Sequence, residues 1–334
     1  MTDRSTSRTA PPRWQTQLRR IAGITAMLMV TTGATCNRGP IPSPYPPPPP
    51  VAISPVPTID EIAAAVNRSQ SVRELSTNSA TIEVLSQPQI PKLKTTIHAR
   101  REKDLRLRCS VPLVLGNVLD IGSNADAFWF EIPEGLAMRK TMYFARHDQY
   151  AASPTRSMLS VDPTWLIDAI GLPEIDPVRV IASPTRTSDG KIEIRQQTTA
   201  GDAIAIYHID PSAGYVTDQS LYDPSGRRLA QSIATNAVYY PIADTTAGPT
   251  PTGVVLPHQV QIALTLPGTE PMQLQLSVGN YSVNQLLSGE PNLFAMPVPT
   301  HPPINLAAAT TPTIPQNPPS AYRVTERVAP PIRY

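Results

Sequence analysis

The first regular element that the sequence predicts is a helix with apolar residues at helical spacing. Thr58-Ile59-Asp60-Glu61 has the pattern of a capping box, because the Thr58 side chain can accept from the backbone of Glu61 while Glu61 reaches back. Apolar residues then recur on one helical face, at Ile59, Ile62, Ala63 and Val66. We expect a helix that ends near Ser69 and packs this face on a domain.

Beyond this helix the apolar residues recur at every second position, which is the spacing of β-strands. Leu105 to Cys109 alternates apolar and charged side chains and predicts a strand with one buried face and one wet face. Pro, Gly and Asn separate the segments. The strands predicted in the first half are 80–86, 93–99, 105–111, 117–121 and 127–132.

A second short helix interrupts the strands. Pro163 introduces it, Trp165, Leu166 and Ile170 share one side, and Gly171 is the predicted terminator by residue type. Further strands are predicted at 178–182, 191–196, 203–208, 215–222, 228–238, 259–266 and 271–278. Ten or more sequential strands with few helices predict a mainly β, α+β fold, as a large curved antiparallel sheet or an unclosed β-barrel.

Residues 1–35 have the pattern of a secretory signal peptide. Five arginines and one aspartate give this segment a positive charge, and a mostly apolar run follows from Ile21 to Thr32. Twelve helical residues would cover about 18 Å, whereas the hydrocarbon core of a bilayer is about 30 Å thick. The run is therefore too short for a transmembrane helix, and we expect export.

Cys36 stands where cleavage is expected, which resembles the lipobox of bacterial lipoproteins. In that family the thiol of the cysteine receives a diacylglycerol group, so Cys36 is the predicted lipidation site. The family prefers Leu three residues before the cysteine and Gly, Ala or Ser directly before it, but Gly33 and Thr35 stand there. The alternative is ordinary cleavage that leaves a free thiol.

Two proline-rich segments flank the predicted domain. Residues 36–57 contain 10 prolines in 22 residues, which predicts a semi-rigid linker. Such a linker would reach about 70 Å at about 3.1 Å per residue. Residues 297–334 contain another 10 prolines and no apolar periodicity, which predicts an extended or disordered tail. The domain itself is expected at 58–296.

Charge and reactive side chains narrow the possible functions. The net charge is +2 and the chain has no long basic block, which argues against binding nucleic acid through a charged surface. Cys109 lies on a predicted strand and is expected to be buried. The five histidines are dispersed and form no metal-binding or hydrolase motif. The sequence therefore predicts no enzyme, no metal and no cofactor.

The aromatic triplet Phe128-Trp129-Phe130 is the most distinctive segment of the predicted domain. It follows a turn at Gly122 to Asp126, and on a strand Phe128 and Phe130 would lie on one face and Trp129 on the other. The chain has only 18 aromatic residues, so three together indicate either core packing or the wall of a lipid-contacting cavity.

The order of these elements resembles the LolA/LolB superfamily of outer-membrane lipoprotein-sorting carriers. The resemblance rests on the strand Leu105 to Cys109, on Phe128-Trp129-Phe130, on Met142-Tyr143-Phe144, on Tyr207-His208-Ile209-Asp210 and on Pro257 to Ile262. The signal segment and the aromatic triplet are also similar to uncharacterised planctomycete-type bacterial lipoproteins.

This resemblance implies an unclosed β-barrel that wraps an apolar groove around acyl chains, with helices over its concave face. The residues implied for the inner wall are Leu107, Phe128, Phe130 and Tyr143, and those implied for the lid are Ile62, Val66, Trp165 and Leu166. Which face of each strand points inward is open, because a shift of one residue in register inverts it.

The sequence leaves three candidate functions open. The first is a monomeric lipoprotein that binds lipid or lipoprotein acyl chains without covalent chemistry, anchored in the outer membrane and facing the periplasm. The outer membrane is favoured because Asn37-Arg38 lacks the aspartate that retains some lipoproteins in the inner membrane. The second is a scaffolding lipoprotein with a packed core, and the least favoured is a hydrolase.

Overall fold

One large sheet of 15 strands is the framework of the protein in this computed structural model. The structure describes residues 45–48, 53–111, 117–132, 140–151, 153, 161, 163–242, 252–265 and 270–308. The signal segment and Cys36 lie outside the described residues. The strand order is β15-β6-β5-β4-β3-β2-β1-β13-β12-β11-β10-β9-β8-β7, with β14 beside β1. The two end strands β15 and β7 do not pair, so the sheet is unclosed, as predicted.

Two antiparallel meanders build this sheet and meet where β1 pairs with β13. The first comprises β1 (Glu74–Val84), β2 (Leu93–Arg100), β3 (Asp104–Ser110), β4 (Leu119–Ser123), β5 (Ala127–Ile132) and β6 (Thr141–Arg146). The second comprises β7 (Thr185–Arg186), β8 (Ile192–Gln197), β9 (Ile204–Asp210), β10 (Tyr215–Tyr222), β11 (Arg228–Ile242), β12 (Thr252–Leu264) and β13 (Met272–Val278). Two short strands follow, β14 (Ser282–Val283) and β15 (Ile304–Asn305), and β15 runs parallel to β6.

The first helix, α1 (Ile59–Val66), has the predicted capping box. The Glu61 backbone N–H donates to Thr58 Oγ1 at 3.2 Å, and the Thr58 backbone N–H donates to Glu61 Oε2 at 3.0 Å. These two bonds satisfy donors that the first helical turn leaves free. A 3₁₀ turn, Asn67–Ser71, continues the helix towards β1.

Two further short helices follow the first meander. Helix α2 (His147–Ala151) begins directly after β6, and α3 (Trp165–Ala169) lies within the segment predicted to be helical. Gly171 follows α3 with a φ of +107°, a conformation that favours glycine. A Cβ at this position would lie 2.7 Å from Pro257 Cδ, so the glycine also permits close approach to β12.

Helices α1 and α3 pack on the same face of the sheet, called here the inner face. The first core cluster joins α3 to the strands β1 to β3, β12 and β13, and it includes Leu75, Ile97, Leu105, Leu107, Cys109, Ile167, Ile170, Leu256, Val260 and Leu276. The second joins α1 to β8 to β11 and includes Ile62, Val66, Ile192, Ile194, Tyr207, Ile209 and Leu229. Trp165 packs against both clusters.

The residues packed on the sheet extend beyond the domain limits of 58 and 296 expected from the sequence. On the N-terminal side, the Tyr45 hydroxyl donates to Asn280 Oδ1 at 2.8 Å and Ile53 packs against the second core cluster. On the C-terminal side, β15 pairs with β6 and Leu306 is buried. Proline content suggested extended segments there, but single apolar and aromatic side chains attach them to the sheet.

One predicted strand, 178–182, is wrong. Asp176 caps a 3₁₀ turn over Pro177–Arg179 by accepting from the Val178 backbone N–H at 3.0 Å. Pro177 lacks a backbone donor and fits the first position of such a turn. Only Val180 then forms an isolated bridge to β8.

Candidate functional site

The four residues implied for the inner wall lie on one face of β3 to β6. The ladder places Leu107 opposite Ile121, Ile121 opposite Phe130 and Phe130 opposite Tyr143, so these side chains form one row across four strands. Phe128, two residues from Phe130, lies in the next row on the same face. Because Leu107 packs in the first core cluster with α3, this is the inner face.

The aromatic rings of this wall contact one another. The Phe130 and Tyr143 rings are stacked, with centroids 5.1 Å apart, and the Phe128 ring meets Tyr150 of α2 edge-on at the same distance. Phe128 is fully buried, whereas Phe130 and Ile121 are only partly buried. The inner face therefore has an apolar row that the described residues cover incompletely.

Trp129 lies on the opposite, outer face, as the alternation predicts. Its ring lies against the backbone of Gly122 on β4, where a Cβ would overlap the indole. The Arg106 guanidinium lies 5.4 Å from the Trp129 ring centroid. The triplet thus contributes to both faces of the sheet, and only its two phenylalanines belong to the apolar wall.

The four residues implied for the lid separate into two pairs. Ile62 and Val66 of α1 are buried in the second core cluster, over β8 to β11, and do not belong to the cluster that contains Leu107. Trp165 and Leu166 of α3 are partly buried against the first cluster. The structure thus brings α3, but not α1, together with Leu107, whereas Phe128, Phe130 and Tyr143 belong to a third cluster with Tyr150 and Leu306.

Trp165 lies where the two clusters meet and is held there by a polar contact. With its amide oxygen turned towards α3, Gln219 accepts from Trp165 Nε1 and from the Ala169 backbone N–H, both at 3.2 Å. Gln219 is itself buried on β10. A buried amide that holds an indole and a helix backbone specifies where α3 sits against the sheet.

Asp168 places a carboxyl group on the same helix. Burial raises its pKa to about 7, an effect that the nearby Arg101 guanidinium partly opposes. Burial also lowers the pKa of Arg101 and raises that of Tyr207. Helix α3 thus carries a carboxyl group whose charge changes near neutral pH, close to Arg101, Glu174 and Arg179.

Two cavities among the described residues both lie away from the apolar wall. A cavity of about 30 Å³ lies at the rim between α1, α3 and the β11–β12 hairpin. A second, of about 320 Å³, lies beside the outer face and is lined by Arg100, Asp104 and residues 290–295. Side chains of α1 and α3 cover the second and first core clusters of the inner face, and neither cavity opens onto the wall residues.

The serine and histidine contacts of the described residues do not form a nucleophile and base. His147 Nε2 lies 2.9 Å from the Asn124 carbonyl, which fixes a proton on that nitrogen, so it cannot accept one from Ser123 at 3.3 Å. Ser76 and His98, 3.0 Å apart, are both buried. Within the described ranges, no group of three or more His, Cys, Asp or Glu could hold a metal ion.

Cys109 is a packing residue by its surroundings. Its side chain is fully buried in the first core cluster, and burial raises the pKa of its thiol to about 11. A thiol that stays protonated at neutral pH is a poor nucleophile. This agrees with the burial expected from the sequence.

An ionic network on the outer face was not predicted from the sequence. The Arg106 guanidinium donates to Asp120 Oδ2 at 2.6 Å and to the Ala295 carbonyl at 2.9 Å, and Arg108 makes two bonds to Glu290. Residues 285–296, called here the C-terminal strap, therefore cover the outer face of the first meander. The alternating arginines of β3 indicated a wet face, and only the register shows that this strap shields them.

A second feature missed at the sequence level is an aromatic cluster at the ends of β11 to β13. It comprises Tyr240, His258 and Tyr281, and Tyr45 packs against it. The Tyr-Pro-Pro-Pro segment that begins at Tyr45 was a possible signal, because an aromatic residue stands alone in an otherwise proline-rich stretch.

No helix in the described part of the chain is long and apolar enough to cross a membrane.

Comparison with known proteins gives similarity at the level of the fold. No model of a known protein family matches the chain, and no curated protein matches it. Among solved structures, a LolA superfamily protein from Nitrosomonas europaea is similar, with 11% identity, a TM-score of 0.42 and coverage of 72% of this chain and 98% of that one.

Two further structures match in the same way. A domain assigned to outer-membrane lipoprotein sorting from Vibrio parahaemolyticus has 12% identity and a TM-score of 0.43 over 71% of this chain and 95% of its own. A DUF1329 family protein from Desulfovibrio piger has 11% identity and a TM-score of 0.43 over 68% and 91%. These matches assign no activity to this chain.

Proposed function

We propose that the protein is an exported envelope lipoprotein, tethered through Cys36, whose inner face binds the acyl chain of a lipid or lipoprotein without covalent chemistry. The observation that carries this proposal is the row of Leu107, Ile121, Phe130 and Tyr143 across four strands. Ile121 and Phe130 in that row are only partly buried. An extended apolar row beside a displaceable helix suits a linear hydrocarbon.

The driving force for binding would be burial of hydrocarbon. Each methylene removed from water contributes about 0.8 kcal/mol. Such an interaction needs no polar specificity and no reacting group, which fits an inner face lined by aliphatic and aromatic side chains. The proposed function is therefore that of a binding protein rather than an enzyme, acting as a monomer without a cofactor or nucleic acid.

Binding along the whole row requires that α3 moves, because α3 packs in the cluster that buries Leu107. Helix α3 has five residues, and Trp165 and Leu166 are only partly buried. A helix this short has little stability of its own and depends on its contacts with the sheet. An acyl chain that takes the place of Trp165 and Leu166 would contact Leu107 and Ile121, which pack in the same cluster as these two residues.

Lipid binding can be tested on the purified full chain. Native mass spectrometry detects lipid that copurifies, and a lysolipid with a brominated palmitoyl chain should quench the fluorescence of Trp165 on titration. Trp165→Phe identifies this signal by difference, because the other two tryptophans, Trp14 and the buried Trp129, are the same in both chains. A chain that stays free of lipid and shows no quenching at Trp165 would contradict the proposal.

A pair of substitutions tests whether lipid binds to the inner face of the sheet. Phe130→Gln places an amide in the apolar row and should weaken lysolipid binding at least tenfold. Phe144→Gln is the matched control, because Phe144 is a partly buried phenylalanine on the adjacent strand that lies opposite Trp129, on the outer face. Equal loss of binding in both variants would show that the inner face is not the site.

The second candidate is a scaffolding lipoprotein, and the packing of α3 on the first core cluster favours it. In that case the side chains of α3 are permanent core and no ligand displaces them. The two functions predict opposite results for Trp165, since a scaffold would retain its indole environment at every lysolipid concentration below the micellar range. A cross-linking experiment that captures envelope components through residues 309–334 would support the scaffold.

Anchoring is a separate part of the proposal and needs its own test. Metabolic labelling with a fatty-acid analogue should label the wild type but not Cys36→Ala. Fractionation of the labelled protein should place it in the outer membrane, as the absence of aspartate after Cys36 suggests. Equal labelling of both chains would refute lipidation at Cys36.

A further inference from the structure

The aromatic cluster at the ends of β11 to β13 has its rings held by hydrogen bonds and contains no residue of the proposed lipid site. Tyr240, His258 and Tyr281 are buried, with ring centroids 5.8 to 6.0 Å apart. The three rings come from three neighbouring strands or their ends. Their arrangement leaves a position at the rim that the side chain of Tyr45 occupies.

Hydrogen bonds fix the rings of this cluster. The Tyr240 hydroxyl lies 2.8 Å from His258 Nε2 and accepts from the Tyr281 backbone N–H at 3.1 Å. The Tyr281 hydroxyl donates to the Pro257 carbonyl at 3.1 Å. Because each polar group of the cluster has a partner within the protein, the site is preorganised before any fourth ring is added.

Tyr45 supplies that fourth ring. Its centroid lies 5.2 Å from that of Tyr240 and 5.6 Å from that of His258, where the contact is edge-to-face. Its hydroxyl donates to Asn280 Oδ1 at 2.8 Å. An aromatic contact with two rings and one directed hydrogen bond is the pattern of an anchor residue.

The three residues that follow are prolines with exposed side chains, and Pro48 reaches the rim cavity of about 30 Å³. The hydroxyl of Tyr239 is buried near this cavity without a hydrogen-bond partner among the described residues. A cavity of this size can hold one water molecule that would satisfy it. Proline fixes φ, so Pro46 to Pro48 reduce the entropy lost when Tyr45 is seated.

The charges of the cluster and of the two proline-rich segments indicate which segment the cluster binds. Burial lowers the pKa of His258, which keeps its imidazole neutral at pH 7, and Tyr240 and Asn280, which also contact Tyr45, are uncharged. The segment 43–52 contains no charged residue, whereas 318–334 contains Arg323, Glu326, Arg327 and Arg333. The sequence Tyr-Pro-Pro-Pro occurs once in the chain, at 45–48.

We propose that the cluster of Tyr240, His258, Tyr281 and Asn280 is a recognition site for an uncharged Tyr-Pro-Pro-Pro peptide, and that the chain's own linker fills it in cis. Recognition of proline-rich segments by aromatic grooves is a general mode of peptide binding. The linker residues that pack on the domain then include Tyr45, which lies before the domain limit of 58 expected from the sequence. The docking itself does not depend on lipid binding or lipidation.

A peptide titration tests this site. A fluorescent peptide of residues 43–52 is added to the full chain and to its Tyr45→Ala variant, and anisotropy is recorded. Because the cis segment competes in the wild type, the peptide should bind Tyr45→Ala at least tenfold more tightly. A peptide with alanine in place of its tyrosine should bind neither chain, and Asn280→Ala added to Tyr45→Ala should weaken binding severalfold.

Several results would overturn the proposal. They are equal affinity for both chains, no binding to a folded Tyr45→Ala chain, or equal binding of a peptide of residues 318–334. If a thermal melt shows that Tyr45→Ala is unfolded, Tyr45→Phe replaces it, since it keeps the ring and loses only the bond to Asn280. That variant should bind the peptide more tightly than the wild type, and unchanged binding would refute the site.

Discussion

At the scale of single residues, Asp168 couples the inner face to pH. In the folded protein burial raises its pKa from the ordinary 3.8 to about 7. Between these two values the folded chain holds a proton that the unfolded chain has released. Stability therefore falls as the pH rises from about 4 to about 7, and changes little above that because Asp168 is then ionised in both states.

Asp168→Asn should remove this dependence. The amide is neutral at every pH, so the variant should match the wild type near pH 4 and exceed its free energy of unfolding at pH 8 by about 1 to 3 kcal/mol, after allowance for partial exposure. Urea denaturation from pH 4 to pH 8 measures the difference. A constant difference across this range would show that Asp168 is not the titrating group.

Asp176→Asn is the matched control because its carboxylate has the opposite shift. Hydrogen bonds from Val178 and Arg179 lower the pKa of Asp176. Its contribution to stability is thus present above the ordinary pKa of the unfolded chain and is lost as the pH falls towards the lower folded value. Substitution should therefore destabilise the protein slightly at neutral pH, in contrast to Asp168→Asn.

Gly122 is the residue on which the position of Trp129 depends. A Cβ at this position would overlap the indole, and Trp129 is fully buried and cannot turn away. Gly122→Ala should destabilise the protein by about 2 to 3 kcal/mol. Gly289→Ala, where a Cβ meets nothing within 4 Å, should change stability by less than about 0.5 kcal/mol. Thermal unfolding of the two variants compares them, and equal melting temperatures would contradict this packing.

At the scale of elements, β15 protects the end of the sheet. The Leu306 backbone N–H donates to the Phe144 carbonyl at 2.8 Å, and the Leu306 side chain is buried beside Phe128 and Tyr143. A chain that ends at residue 296 would leave β6 as an unpaired edge and expose this aromatic group. Such edges promote association with other chains.

The stability of C-terminally truncated chains should therefore drop once β15 is removed. A chain that ends at 308 should unfold at nearly the same temperature as the full chain, whereas one that ends at 296 should lose at least about 2 kcal/mol, mainly from exposure of Leu306. Differential scanning calorimetry measures this, and light scattering should show aggregation of the shorter chain. Equal stability of both truncated chains would show that β15 adds nothing to the fold.

Local signals explain which elements the sequence could predict. The capping box of α1 and the alternation of β3 are properties of a few neighbouring residues, and both elements form where expected. The β11–β12 hairpin is longer than predicted. Pro241 and Pro257 indicate strand ends in the sequence, since proline is rare within strands. The two prolines are tolerated within strands whose ladder runs from Ala230 opposite Leu264 to Ile242 opposite Thr252.

The candidate site was predictable only in part for the same reason. Alternation separates Phe128 and Phe130 from Trp129, but it does not say which face carries the helices. Contacts across long sequence distances, such as Gln219 with Trp165 or Tyr45 with Asn280, have no local signature. Two residues implied for the lid, Ile62 and Val66, pack over the other meander because α1 docks on β8 to β11.

At the scale of the whole molecule, α3 is the element that joins the two core clusters. Trp165 contacts both of them, while Ile167 and Ile170 belong to the first. Displacement of α3 would therefore open the inner face between the meanders without breaking any strand pairing of the sheet. Asp168 lies on this helix. When its carboxylate is ionised, the cost of burying the charge also opposes the packing of α3 against the sheet.

The proposed lipid binding should consequently depend on pH. The charged groups that act on Asp168 are Arg101, Arg179 and Glu174, with Tyr207 nearby, and burial outweighs the attraction of the arginines. Above about pH 7 the ionised carboxylate favours the open position of α3, in which water reaches it.

A zwitterionic palmitoyl lysolipid has a constant charge of its own between pH 6 and 8. Its affinity should be several-fold higher at pH 8 than at pH 6, since one unit of pKa shift corresponds to about a tenfold change in an equilibrium constant. Asp168→Asn should bind with the same affinity at both pH values. Tight binding without this pH dependence in the wild type would refute the role of α3 as the moving cover, whereas absence of binding at both pH values would contradict the lipid site itself.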